Sequence, residues 1–232
     1  MTGERESWQR QRRQQDFSEQ LAQKGWFHSF RLPDGTFYDG HLSLEELERR
    51  VSRMPIPADL SGRRVLDIGA WDGWFSFEME RRGAEVVAID CVEVKNFRKI
   101  HAALGSKVDY RVADIHELRL EEVGRFDLVL FLSVLYHLKH PLLALEKVCA
   151  LTTELAMVSS FITDDYTRPI DELLAEVPRL DFYETDELGG HQDNWFGPNL
   201  AGLMAMCRVA GFAHGELIEI SGPSATVACY RK

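Results

Sequence analysis

The stretch VLDIGAWDGWFSFEMERRGAEVVAID, residues 65 to 90, constrains the fold more than any other part of the chain. A short apolar run delivers Asp67 and turns at Gly69, Gly73 opens a helix-patterned segment closed by Gly83, and EVVAID follows as a second apolar run tipped by Asp90. Buried strands that alternate with helices form a largely parallel sheet with helices on both faces. At the carboxyl end of such a sheet, glycines let backbone and ligand approach closely. An acid 17 residues beyond Gly73, at the tip of the next strand, suits hydrogen bonds to the two hydroxyls of a ribose. The bland alternative is a tight strand-to-helix turn that binds nothing.

The alternation persists downstream. Residues 93 to 104 read as helix, VDYRVADI as a third strand, FDLVLFL as a fourth, PLLALEKVCAL as a helix with proline in its first turn and ELAMVSSF as a fifth strand. NLAGLMAMCRVAGF reads as a helix stopped by Gly211, and GELIEI and ATVACYRK as paired terminal strands. The expectation is an α/β fold of seven strands over residues 60–232, with an insertion at about 163–198. Before residue 60, residues 7 to 24 look helical, LPDGTFYDG is turn-rich, and Ser43 precedes Glu46 at the capping-box spacing. Residues 1–59 are therefore expected to form an N-terminal helical lid lying across the top of the sheet.

Charge and composition narrow the function classes. With 45% hydrophobic and 28% charged residues among 232, the chain reads as an ordinary globular protein. No apolar run approaches the roughly 20 residues of a membrane span, and WQRQRRQQ lacks the apolar middle of a secretory signal, so a cytoplasmic protein is expected. Cys91, Cys149, Cys207 and Cys229 form no CxxC pair, which fits buried thiols in a reducing compartment. Lys and Arg total 27 against 37 Asp and Glu, a formal net charge of -10 that opposes a polyanionic backbone. Residues 1 to 15 hold four Arg against two Glu, which leaves -12 on the rest; that tail reads as a solvated helix.

VLDIGAWDG, AID at 88 to 90, VADI at 112 to 115 and FDLVLFLSVLYHL at 126 to 138 resemble, in order and spacing, the successive motifs of class I S-adenosylmethionine-dependent methyltransferases. The resemblance implies the Rossmann-like seven-stranded methyltransferase sheet, its last strand inserted antiparallel, and S-adenosyl-L-methionine as cofactor. Carried over residue by residue, it implies that Asp67 and Gly69, with Ala70, Trp71 and Gly73 of the same turn, line the methionine part. Asp90, with Cys91 beside it, would bind the ribose, Asp114 and Ile115 would flank the adenine, and Leu132 and Ser133 would lie beside the sulfonium. WFH at 26 to 28, LPDGTFYDG, DIGAWDGWFSFEMERRGA, VLYHLKHPLLALEKV and DNWFGPN are similar to the family that resembles tRNA wobble-uridine (mo5U34) methyltransferases, together with its small-molecule relatives. Trp71 departs from the D-x-G-x-G-x-G form, where the middle glycine stands, and a ring there alters the pocket wall. The chain lacks a GxxxxGK[ST] loop, and an acid at the second strand tip repels phosphate. Asp90 also fits a nicotinamide cofactor; VLYHL and the terminal helix-strand-strand pattern favour methyl transfer.

Methyl transfer is in-line attack on a carbon attached to positive sulfur, and a base is needed only when the nucleophile carries a proton. His137, after Tyr136 in VLYHL, is the first candidate base; the alternative is a histidine that packs beside the loop. His137 and His140 have helical spacing but no acidic or cysteine partner nearby in sequence, so no metal is expected. His28 is the second candidate, and Trp26 with His28 would form part of the lid unless these rings serve the core. In the insertion, Tyr183, Asn194, Trp195 and Asn199 suit a cover over a small organic substrate, with a solvated loop as the alternative. Residues 164 to 194 carry ten acids against Arg168 and Arg179, a balance of -8 that repels tRNA and tolerates an amine or zwitterion. The expected function is S-adenosylmethionine-dependent methylation of a small molecule in specialised metabolism. The rivals are cyclisation of the cofactor's own methionine chain to azetidine-2-carboxylate with release of methylthioadenosine, tRNA wobble-uridine methylation, and a non-catalytic binding protein on the same fold.

Overall fold

The computed structural model describes residues 25–164, 176–188 and 190–232. The helix expected at 7 to 24, and Asp165, Arg168, Asp171 and Glu172 of the acidic segment, lie outside them. The described part of the lid segment holds four short strands beside one helix, so strand and helix share it about equally where a helical lid is expected. β1 (Trp26–His28), β2 (Phe30–Arg31), β3 (Phe37–Tyr38) and β4 (Gly40–Leu42) form two small sheets, β1 parallel to β4 and β2 antiparallel to β3. The β2–β3 turn forms where LPDGT places it, with Asp34 Oδ1 accepting from Thr36 N at 2.8 Å. One helix follows, α1 (Leu44–Arg53), and Ser43 Oγ caps it by accepting from Glu46 N at 3.2 Å.

From residue 64 strand and helix alternate: β5 (Arg64–Ile68), α2 (Trp74–Arg81), β6 (Glu85–Asp90), α3 (Lys95–Leu104), β7 (Asp109–Val112), α4 (Leu120–Val123), β8 (Phe126–Leu132), a 3-10 turn at Leu135–His137, α5 (Pro141–Leu151) and β9 (Thr152–Phe161). The insertion contributes β10 (Leu180–Phe182) paired antiparallel with β11 (Phe196–Pro198). α6 (Leu200–Val209), β12 (His214–Ser221) and β13 (Ser224–Tyr230) complete the described chain. β7 ends three residues short of the expected VADI strand, because Asp114 turns the chain by accepting from His116 N at 2.9 Å.

The central sheet has the order β12-β13-β9-β8-β5-β6-β7. β13 runs antiparallel to both neighbours and the other pairs are parallel, so the terminal strand is inserted as expected. The middle strands are apolar on both faces because both faces are covered. On one face Leu47 of α1, Met79 of α2, and Phe97 and Ile100 of α3 are fully buried; on the other Leu145 and Val148 of α5 and Leu203 of α6 are. Each such side chain contributes about 1.5–3 kcal/mol by leaving water. α1 packs on the first face and is tied to the edge strand β12 by Arg49 and Arg53, both 2.5 Å from Glu219. Cys149, Cys207 and Cys229 are buried thiols, whereas Cys91 is exposed, against expectation, because it follows Asp90 into the loop beyond β6. No helix among the described residues is long and apolar enough to cross a membrane.

Candidate active site at the carboxyl ends of the central strands

β5, β6 and β8 end at one rim, where a parallel sheet opens a crevice. The turn after β5 is wound tightly. Gly69 N and Ala70 N both donate to Ile89 O, at 2.8 and 3.1 Å, and Gly73 N donates to Ala70 O at 2.9 Å. Gly69 (φ 71°) faces Val134 of the loop after β8 so closely that no side chain fits, and a Cβ on Gly73 (φ 93°) would stand 2.6 Å from the Phe97 ring. Gly73 is thus required by core packing.

Trp71 (φ 51°) and Ser133 (φ 59°) are the non-glycine residues of positive φ among the described residues. Each conformation costs about 1–2 kcal/mol, and both lie beside the crevice, where such strain collects at functional sites. Trp71 holds a left-handed backbone shape that glycine adopts more easily, and its N–H donates to Asp90 Oδ2 at 3.0 Å. Ser133 N donates to Ser159 Oγ at 2.9 Å, which ties the end of β8 to β9.

Acids stand at three adjacent strand ends. Asp67 is buried on β5 and accepts from Ser76 Oγ at 2.6 Å. Burial pushes its carboxyl up to about 6, with the Ser76 bond and then the nearby His28 pulling down and Asp90 adding to the rise. Asp90, at the tip of β6, is buried and therefore also raised, while Trp71 N and Val92 N steady its charged form. Asp114, beyond β7, accepts from His116 Nδ1 at 2.9 Å. Beside it Ile115 is buried in the second core, and Leu132 is half-buried at the end of β8.

Two histidine–aspartate pairs flank the crevice. Asp72, fully buried in the glycine turn, accepts from Phe27 N at 2.9 Å, from His28 N at 3.0 Å and from His28 Nδ1. Across the rim, His137 Nδ1 lies 3.2 Å from Asp193 Oδ2, with both side chains partly exposed. Burial works to raise Asp193, but the hydrogen bond and charge of His137, with its own backbone N–H and His191, together outweigh it and hold the carboxyl below its usual value. Tyr136 is buried against Phe161, ring centroids 4.7 Å apart, and burial pushes its phenol well up. The insertion seats on this turn: Trp195 N donates to Tyr136 O at 2.8 Å and Tyr183 N to Trp195 O at 2.9 Å. Lys139 Nζ stands 4.6 Å from the centre of the Trp195 ring.

The family model for a methyltransferase domain matches residues 38–213. The chain belongs to the methyltransferase-domain family. A relative, the ubiquinone biosynthesis O-methyltransferase of Xanthomonas oryzae pv. oryzae (strain PXO99A), is 40% identical over 103 residues, which are 44% of this chain and 43% of that protein. The match thus spans less than half the length of that relative. Among solved structures, the N-terminal domain of EvdMO1 with S-adenosylhomocysteine bound superposes with a TM-score of 0.64 at 18% identity, covering 94% of this chain and 97% of that one. The 1,6-didemethyltoxoflavin-N1-methyltransferase of Burkholderia thailandensis, with 1,6-didemethyltoxoflavin and S-adenosylhomocysteine bound, has a TM-score of 0.54 at 18% identity, over 73% of this chain and 71% of that one. These likenesses show the fold of S-adenosylmethionine-dependent methyltransferases.

In this methyltransferase domain some expected site residues serve other ends. Asn199 caps α6: its Oδ1 accepts from Gly202 N at 2.8 Å and Arg179 N at 2.9 Å, and its Nδ2 donates to Val177 O at 2.9 Å. Asn194 is buried within the insertion and donates to Leu188 O at 2.7 Å. Both amides are held by backbone groups of the insertion and the helix start. Trp26 packs on Tyr38 at 4.3 Å between centroids, with Lys99 5.5 Å from its ring, and so anchors the lid. Sequence reasoning missed Asp72, Ser76 and Ser159, and missed the pairing of Asp193 with His137.

Proposed function

We propose that this protein is a cytoplasmic S-adenosylmethionine-dependent methyltransferase acting on a small molecule, in specialised metabolism. Residues 1–59 serve as the lid, and residues 60–232 as the catalytic domain, whose insertion at about 163–198 covers the acceptor. The observation that carries this reading is the row of acids Asp67, Asp90 and Asp114 at adjacent strand ends. The cofactor presents a sulfonium, an ammonium, two ribose hydroxyls and an adenine amine beside a single carboxylate, and the buried Asp67 and Asp90 with the half-buried Asp114 match the cations and donors of that set where a phosphate ligand would be repelled. Each Asp90 oxygen accepts one backbone N–H and keeps a lone pair for a hydroxyl. When bound, S-adenosylmethionine supplies a methyl group on positive sulfur.

The protein's own tasks are then to align the acceptor, exclude water and remove a proton. Asp193 orients His137 through Nδ1, and His137 takes the acceptor's proton at the mouth. Tyr136, its phenol raised by burial, keeps its proton and forms the wall beside it. The negative balance of the insertion supports a small acceptor over tRNA, and the bound 1,6-didemethyltoxoflavin of the Burkholderia enzyme is in keeping with that.

Titration calorimetry with S-adenosylhomocysteine tests the cofactor: binding is expected, with a loss of roughly 10-fold or more in Asp90→Ala. Incubation with S-adenosylmethionine and a panel of amines and phenols tests the reaction. Adenosylhomocysteine appearing only with an acceptor supports methyl transfer. Methylthioadenosine appearing without one points to self-cyclisation, and salt-sensitive binding of bulk tRNA would revive the RNA reading.

A further inference from the structure

The glycine turn offers little to an anion. The N–H groups of Gly69, Ala70, Trp71 and Gly73 are all engaged within the protein, so they form no open nest of amides. Around the turn stand three buried carboxylates, Asp67, Asp72 and Asp90, and among the described residues none has a lysine or arginine in ion-pair contact. The basic side chain beside them is His28, whose Nδ1 is bonded to Asp72 within the turn. An ionised Asp72 can only accept, so it accepts a hydrogen bond from Nδ1–H and fixes the ring, while no hydrogen bond reaches Nε2 among the described residues. A ligand end that carries an ammonium and a carboxylate on one carbon needs an acceptor and a donor side by side, and Asp67 provides the acceptor.

We propose that His28 Nε2 is the donor that binds the carboxylate of the cofactor's amino-acid end, and that Asp72 is the positioning residue that aims it. In the doubly protonated ring both nitrogens donate, Nδ1 to Asp72 and Nε2 to the ligand. Because the same Asp72 carboxylate accepts from Phe27 N and His28 N, seating the lid strand and aiming the donor are one event. This inference rests on the cofactor reading above and deepens it, since it makes the lid a reader of the amino-acid end.

The test compares two ligands by calorimetry on the full chain: S-adenosylhomocysteine, and 5′-methylthioadenosine, which shares the nucleoside and sulfur but lacks the amino-acid end. His28→Asn keeps a donor near the Nδ1 position for Asp72 and has nothing where Nε2 stands. It is expected to weaken S-adenosylhomocysteine roughly 10- to 100-fold while 5′-methylthioadenosine changes less than about twofold, the second ligand reporting that the site is still folded. His28→Gln, which reaches the Nε2 position, recovers part of the loss, and Asp72→Asn repeats the selective loss. His28→Asn with unchanged S-adenosylhomocysteine binding, or with equal losses for both ligands, overturns the inference and leaves the cofactor reading standing. Wild-type protein that binds neither ligand overturns the cofactor reading and this inference with it.

Discussion

His28–Asp72 and His137–Asp193 are the same chemical pair, an imidazole Nδ1 against a carboxylate, set in opposite surroundings. In the first, side-chain exposures are 7% and 0%; in the second, 26% and 22%. Asp72 gathers three bonds from one strand of the lid, whereas Asp193 sits on the insertion and meets a histidine on a 3-10 turn. A sealed pair holds parts together, because losing either member strands the other in a medium of low polarity. A pair open to water costs little to separate and can exchange protons with a visiting molecule. Location in the solvent gradient thus supports holding and aiming for the first pair, and is in keeping with the proton transfer proposed for the second.

That division is open to attack at several points. The largest effect is expected from His137→Ala, with kcat falling roughly 10²- to 10⁴-fold while affinity for S-adenosylhomocysteine stays put; steady-state kinetics beside calorimetry read both. A fall in affinity with kcat intact would exchange the roles of the two pairs. Next, Asp72→Ala should lower unfolding free energy by about 3–5 kcal/mol, against less than about 1 kcal/mol for Asp193→Ala, measured by urea denaturation. Equal losses would erase the distinction.

A third effect is set by pH. The Asp67 carboxyl is raised from 3.8 to about 6 in the folded protein, so the folded state holds that proton more tightly than the unfolded chain does. Its contribution to stability therefore declines as pH rises from about 4 to about 6 and is level beyond, by roughly 3 kcal/mol at most. Urea curves for wild type and Asp67→Asn across that window should diverge in slope, the variant being flatter. Parallel curves would show Asp67 ionised as easily inside as outside. Smallest of all, Trp71→Gly relieves the left-handed backbone and should shift stability by no more than about 1 kcal/mol in thermal melts, since the N–H to Asp90 survives.

What the sequence made legible was whatever is written locally. Asp67 and Asp90 stand at the ends of apolar runs joined by one helix, and their position at the rim follows from the strand-helix-strand pattern alone. Asp72 looked like filler in the turn because its partners Phe27 and His28 are 45 and 44 residues away, and no spacing rule connects them. His137 was visible as a candidate but its orienting acid, 56 residues on, was one among many in an acidic segment. The lid strands were lost for another reason: runs of two or three residues are too short to show a period. Asn199 is the instructive miss, since an asparagine just before an apolar helical run is a strong capping signal that outweighs its appeal as a polar loop residue.

The inserted β13 also sets an order of events. β12 touches the sheet only through β13, yet the ribosome delivers β12 first. Until β13 is made β12 has no partner strand in the sheet, and its Leu217 and Ile220 side chains face water even in the finished fold. β12 is thus held in the sheet by the hairpin it forms with β13, whose other edge pairs with β9.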